Sequence, residues 1–395
     1  MRKRFFDKST WAMLLIGIVL VGVLLMIPTG YEDAIIYKDS ERAVATVIAV
    51  DNSAISNSGL IQFGEQTCTL LIQNGIFKGV EIQGVNLLSG SLAADKIYQI
   101  GDTAFVRISY KESHLVPDFA GPVINGYAVS NCVMTDHFRL GKEAILVLAF
   151  FVLLILVAGK NGVRAVFSFV ITILCIWKLL IPAYLQGYSP VWVGIGITVF
   201  LTLIIIFFVY GFDRRTLVAT LGSLLGILTT CILGILFTDL FMIHGAVMPD
   251  SESLYYSGYH HLDLTAIFMS SIFIGASGAM MDLSVDITSA VAEVVAKKPQ
   301  IGWKEAVVSG MNVGRAAMGT MTTTLLLAYS GGYITSLMVY MAQGTPVDHI
   351  LNYKYVASEI LDTVIGSFGL VTVAPFTALV SGLLLTQKQN TINNQ

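Results

Sequence analysis

The chain has 395 residues, of which 55% are hydrophobic and only 12% charged. That balance excludes an ordinary soluble globular protein and indicates a polytopic membrane protein. A net charge of -3, with basic residues scattered along the chain, gives no support to a nucleic-acid partner.

The first residues include Arg2, Lys3, Arg4 and Lys8, and 11–27 is an apolar run of about the length needed to cross a bilayer. A secretory signal begins in the same way. The following PTGYEDAIIY lacks the small-residue pattern of a cleavage site, so residues 1–28 are expected to form a retained anchor helix with a cytoplasmic N-terminus. From 29 to 142 polar and β-branched residues alternate between Asn and Gly breaks, with strands expected at 42–51, 67–73, 80–87 and 104–110. They describe a small β-rich extracytoplasmic domain inserted after the first helix, with an OB-like barrel as its simplest form. It holds no nucleophile, base and acid set, which favours a recognition or spacer module. Cys68 and Cys132 both fall here, and a disulfide between them is left open. Cys175 and Cys231 lie in apolar runs, and no cysteine spacing suits zinc.

Residues 143–387 form a membrane domain with spans expected near 143–159, 163–181, 190–210, 217–237, 264–283, 307–341 and 361–385. With the anchor they make an α-helical polytopic protein of about eight transmembrane helices, ending in a cytoplasmic tail, 388–395. Positive charge favours the cytoplasmic side. Lys160, Arg164, Arg214, Arg215, Lys297, Lys298, Lys304 and Lys388 all fall on one side of this arrangement, and the opposite short loops, 183–189, 239–263 and 343–357, hold only Lys354. The stretch 311–344 is long for one helix and short for two. One helix broken at Gly331-Gly332 is preferred, because two spans would put Lys388 outside.

Polar chemistry concentrates in 275–332. Asp282 and Asp286 are four residues apart, and continuing the helix puts Ser289 and Glu293 on the same face. Gly275, Gly278 and Ala279 precede them and suit close helix packing. Arg315 follows Gly310 and Gly314 and precedes Gly319, Thr320, Thr323 and Thr324. An Asp282–Arg315 pair would relieve the cost of both charges, either as a proton-operated switch or as a static salt bridge. The threonines suit either an ion path or hydrogen bonds to their own helix. His244, His260, His261 and Asp263 gather in one outer loop, but their spacing matches no known cage, so neither a metal nor another cofactor is expected. Asp362, Gly366, Gly369 and Pro375 suggest a kinked last helix with Asp362 near the outer interface, and Lys178 beside Trp177 suits an interfacial anchor. Gly275-Ala276-Ser277-Gly278 has the form of a serine-protease GxSG, but no histidine lies within an apolar span. HExxH and Walker sequences are also missing, and no enzymatic activity is expected.

GASGAMMD, the following Ser-Ala and Glu, and SGMNVGRAAMGTMTTTLLLAYSGG together resemble the YibE/F family of bacterial membrane proteins. The anchor, outer β domain and membrane block resemble its YibE-like member, which implies a paired, YibF-like subunit without the outer domain. The family pattern also implies an acid after the arginine and an asparagine in the threonine run. Here those places hold Ala316 and Thr323, so a paired subunit is expected to supply the missing groups. A more distant likeness is to RND-type transporters and the SecD/SecF export subunits, where an intramembrane Asp helix, a cytoplasmic amphipathic segment and a Thr-rich helix follow in this order. This chain differs by two additional spans before the Asp helix.

The leading expectation is a secondary transporter or export component of the bacterial cell membrane, coupled to a cation gradient through Asp282 and Arg315. The alternative is an accessory or scaffolding membrane protein that binds a partner through its outer domain. Its surroundings are then the bilayer and a paired subunit or further copies of itself.

Overall fold

The computed structural model describes residues 8–31, 37–117 and 119–390. Arg2, Lys3 and Arg4, the end of the tail, and the side chains of Lys8 and Lys388 lie outside the described residues. The chain divides into two compact units, Gly30–Leu153 and a helical unit drawn from Met1–Thr29 with Leu154–Gln395.

The first unit is built from β1 (Ser40–Asp51), β2 (Ile55–Ser58), β3 (Ile61–Ile72), β4 (Glu81–Ser89), β5 (Thr103–Glu112), β6 (Val123–Ile124) and β7 (Tyr127–His137). Five long strands follow the order β1-β5-β7-β4-β3, and β1 also pairs with β3, which closes a barrel-like domain. All of these pairings are antiparallel except β4 with β7, which run parallel and meet at Val85 and Val133. Alternation fixes the register: Ala43, Ala45 and Val47, Cys68, Leu70 and Ile72, and Ala104, Val106 and Ile108 all turn inward. A slip of one residue would turn each of these sets to solvent. The expected strands thus appear, but β7 and the β2–β3 hairpin were not anticipated, because Ser130-Asn131 interrupts the apolar pattern and β2 has almost no apolar residues.

Cys68 and Cys132 are separate, buried thiols, which settles the disulfide left open above. They belong to β3 and β7, which flank β4 rather than pair, and each fills the barrel interior as a small apolar group. Burial pushes their thiols up, Cys68 to about 11 and Cys132 to about 12. At neutral pH both are therefore protonated and poor nucleophiles.

One buried polar network ties the barrel to its 90–101 loop. The Gln66 amide donates to the Tyr98 carbonyl (2.9 Å), and its oxygen accepts from the Tyr98 N–H (3.0 Å) and the Asn86 amide (3.1 Å). Asn86 also donates to the Lys96 carbonyl (2.6 Å). Replacing Gln66 by leucine strands these groups away from water, at about 1–3 kcal/mol. Limited proteolysis of the full chain should then cut within 90–101 faster than in wild type; equal rates would show that the network does not hold the loop.

The helical unit contains α1 (Lys8–Met26) and then, after α2 (Leu140–Ala158) at the junction, α3 (Lys160–Cys175), α4 (Ile181–Leu185), α5 (Pro190–Tyr210) and α6 (Arg214–Leu240). It continues through α7 (Ser251–Tyr256), α8 (Leu264–Lys297), α9 (Trp303–Ser330), α10 (Ile334–Ala342), α11 (Val347–Asn352) and α12 (Lys354–Asn390). A π turn at Ile176–Leu180 joins α3 to α4. A 3-10 turn at Gly331–Tyr333 joins α9 to α10, so 311–344 is one interrupted helical path. Among the described residues seven helices are long and apolar enough to cross a membrane, with Trp11–Met26 as a shorter apolar helix.

The centre of this unit is the contact of α6, α8 and α12, made possible by small residues. A Cβ at Gly226 would meet the Val373 Cβ at 2.7 Å, and one at Gly222 would meet the Thr377 Cα at 2.8 Å. Between apolar helices such close approach supplies van der Waals contact where no hydrophobic drive separates protein from lipid. Hydroxyls cross the same seam: Ser284 and Thr377 share a hydrogen bond of 2.7 Å, and Thr288 and Ser381 one of 3.5 Å, both buried. Around them Ala276, Met280, Leu283, Ile287 and Val291 of α8 join Leu370, Val373 and Ala374 of α12 in one apolar core.

Candidate functional site

Helix α8 runs unbroken for 34 residues, so the helix of the span expected at 264–283 continues through Ser289 and Glu293 to Lys297. It starts where the Asp263 carboxylate accepts from the Ala266 N–H (2.9 Å) as an N-cap. Its buried face is the core just described. Its opposite face carries Gly275, Gly278, Asp282, Asp286, Ser289 and Glu293, all exposed and spaced three or four residues apart.

Neighbouring helices frame this stripe at both ends. From α9 the Tyr329 hydroxyl lies 2.8 Å from where a Cβ on Gly275 would stand. From α5 the Tyr210 hydroxyl donates to the Val285 carbonyl (2.5 Å) and shares a hydrogen bond with Ser289 (2.6 Å). The Arg215 guanidinium sits 5.0 Å from the Tyr210 ring centroid and bonds to Asp213 at 2.8 Å. This basic turn marks one end of the α5–α6 pair. Asp282 lies seven residues from Ser289, about 10 Å along the axis towards the middle of the helix.

Asp282 and Arg315 do not pair, contrary to the expectation. Among the described residues neither makes a hydrogen bond or an ion pair, and both are exposed. The register explains this. A Cβ at Gly314 would meet the Ile287 Cδ1 at 3.1 Å and the Ala374 Cβ at 3.0 Å, so Arg315 stands level with Asp286. Asp282 is about 7.5 Å further along α8 than Ile287. Glu293 instead pairs with Lys297 (2.7 Å), and Lys298 with Glu305 (2.6 Å), on exposed surface.

The glycines divide into two kinds. Gly310 and Gly314 face α8 and α12, where a Cβ at Gly310 would meet the Val291 Cγ2 at 2.8 Å. Gly278 and Gly319 have open space beside them. Each threonine bonds to its own helix: Thr320 donates to the Ala317 carbonyl (2.9 Å), Thr323 to Gly319 (3.2 Å) and Thr324 to Thr320 (2.9 Å). Ser277 likewise donates to the Ile274 carbonyl (2.7 Å).

The candidates His244, His260, His261 and Asp263 are not gathered into a ligand set among the described residues. His244 Nδ1 accepts from the Ala246 N–H (3.2 Å), and Asp263 is engaged as the α8 cap. His244 and Asp263 line one cavity of ≈ 310 Å³ without His260 or His261. Among the described residues no group of three or more His, Cys, Asp or Glu is placed to hold a metal ion. A group that sequence reasoning underweighted is Asp362 of α12, whose Oδ1 is buried with no hydrogen-bond partner among the described residues. The nearby Gly366 and Gly369 of the same helix lie against Ala276, Thr230 and Met280. Pro375 lies within α12 without ending it.

A family model described as YibE/F-like protein matches residues 146–387, which takes in the whole of α8, with its polar stripe, and α9. No curated protein and no solved structure gives a significant match, so the more distant likeness to RND-type and SecD/SecF membrane blocks is not shown. Covering well over half of the chain, the match establishes that this protein belongs to the YibE/F-like family.

Proposed function

We propose that the chain is a multi-pass protein of the bacterial cell membrane that works as a secondary transporter or export component driven by a cation gradient, with Asp282 as its proton-binding group. Both termini are cytoplasmic in this reading. The anchor 1–28 precedes an extracytoplasmic β domain of the OB kind, 29–142, and a membrane domain, 143–387, leads to the tail. Its supports are the long apolar helices, the basic residues at one set of helix ends, and a strand order in which the third and fifth long strands run parallel.

One observation carries the reading. Among the described residues Asp282 and Asp286 stand on the open face of α8 without a partner, and Asp282 lies on the mid-helix side of Val285 and Ser289, which the Tyr210 hydroxyl beside the basic turn contacts. A charged carboxylate is costly at membrane depth, so such a group exchanges a proton or marks an ion path. Gaining a proton removes that cost and lets the stripe approach an apolar surface. Losing it draws water or a counter-charge to the same place. Reconstituted vesicles that report internal pH test this. Asp282→Asn, with Arg315 kept, should lower proton flux at least about tenfold with normal expression. Unchanged flux would sink the proposal.

A second reading, a scaffold that binds a partner through the β unit, is favoured by a separate feature. Leu60, Leu87 and Leu92 are 88%, 66% and 77% exposed, and Leu60 and Leu92 line a cavity of ≈ 300 Å³. If Asp282→Asn leaves flux and growth unaltered, this surface becomes the place to look.

A further inference from the structure

We infer that the α8–α9 face is an interface with a second copy of this chain, in which Arg315 of each copy pairs with Asp286 of the other. The inference rests on the membrane reading above and completes the site at Asp282.

Its first ground is a second open stripe beside the first. On α9, Asn312, Arg315, Gly319 and Thr323 are exposed at helical spacing. Arg315 and Tyr329 are fourteen residues apart, which puts them within about 40° of each other around the helix. Tyr329 reaches over Gly275, so Arg315 turns to the side on which the α8 stripe is open. The two stripes therefore make one face, with carboxylates along α8 and the single arginine, Arg315, on α9. At membrane depth lipid is a poor cover for a face with carboxylates, an arginine and amide groups.

The second ground is register. Two copies in one membrane have the same orientation, so a two-fold axis along the membrane normal brings together residues of equal depth. The contact of Gly314 with Ile287 sets Arg315 level with Asp286. The axis then forms the Arg315–Asp286 pair twice, and the face is complementary to itself in charge. One turn further along, Asp282 meets the Gly319 and Thr323 surface of the other copy. The open space beside Gly278 and Gly319 permits the backbones to approach. Asp286 is thereby neutralised, and Asp282 is left as the free carboxylate in a site closed by threonine.

Charge exchange tests this with the full chain carrying two different tags. Wild-type copies should co-purify from membranes. Arg315→Asp places acid against acid, and Asp286→Arg places base against base, so each variant alone should lose co-purification at least about tenfold. Expressed together, the two variants restore both opposite-charge pairs and should co-purify as wild type, which also shows that each is folded. Asp282→Asn should still associate, so a failed transport reading and a failed interface are told apart. Release of the chain by alkaline carbonate would instead remove the membrane reading and this inference with it. A membrane-embedded wild type that is monomeric, or is found only with a different protein, overturns the interface. So do single variants that associate normally or a mixture that is not restored.

Discussion

Gly369→Leu is expected to leave no stably folded helical unit. Gly369 lies where α12 meets α6 and α8, and a Cβ there would strike the Thr230 Oγ1 and the Met280 Cε. Met280 has a flexible side chain and gives way. Thr230 does not, because it is fully buried and its hydroxyl is bonded to the Gly226 carbonyl (3.2 Å). Nor can α12 move aside, since Gly226 and Gly222 hold Val373 and Thr377 one and two turns along. Even Gly369→Ala should cost about 3 kcal/mol, at the upper end of the usual overpacking range. Extraction in mild detergent followed by size-exclusion chromatography should show aggregated Gly369→Leu and a lowered melting temperature for Gly369→Ala. Adding Thr230→Ala to the latter should recover part of the loss. A Gly369→Leu chain that elutes and melts as wild type would show that this seam is not the centre of the unit.

Gly314→Leu is expected to act differently, by prying α9 from its groove while the α6–α8–α12 core survives. Its side chain would have to displace the Ile287 Cδ1 and the Ala374 Cβ, which lie at 3.1 and 3.0 Å from a Cβ. The cost should be about 2 kcal/mol. The larger consequence concerns function, because Arg315 is the next residue and loses its level with Asp286. Helix content should persist by circular dichroism while flux falls. Gly319→Leu is the contrast: with open space around it, the stability of a single chain should change by no more than about 0.5 kcal/mol. Equal destabilisation by the two substitutions would contradict the placement of α9.

Much of this design was legible in the sequence because it is written in local pattern. Alternation in RAVATVIAVD and TCTLLIQ exposed two barrel strands, and apolar runs bounded by Arg214-Arg215 and by Lys297-Lys298 exposed the helix ends. The acidic stripe was legible for the same reason, since three- and four-residue spacing survives whatever surrounds the helix. Relations between helices were not. Nothing local says that Arg315 stands level with Asp286 rather than Asp282, because that depends on how Gly310 and Gly314 seat against Ile287 and Val291. The central place of α12 was also hidden. Gly366, Gly369 and Pro375 read as a kink until Gly222 and Gly226 of α6 are set against Thr377 and Val373. A bridge between Cys68 and Cys132 stayed open in the sequence because the order β7-β4-β3, which sets β4 between their strands, is not local information.

The central claim is that protons cross by way of Asp282, and internal pH in proteoliposomes measures it most directly. With an inward proton gradient imposed, vesicles holding the wild-type chain should acidify faster than protein-free vesicles, and the excess should be missing with Asp282→Asn of equal membrane content. Acidification by the wild type no faster than by empty vesicles, or an Asp282→Asn trace that overlays the wild type, would contradict it.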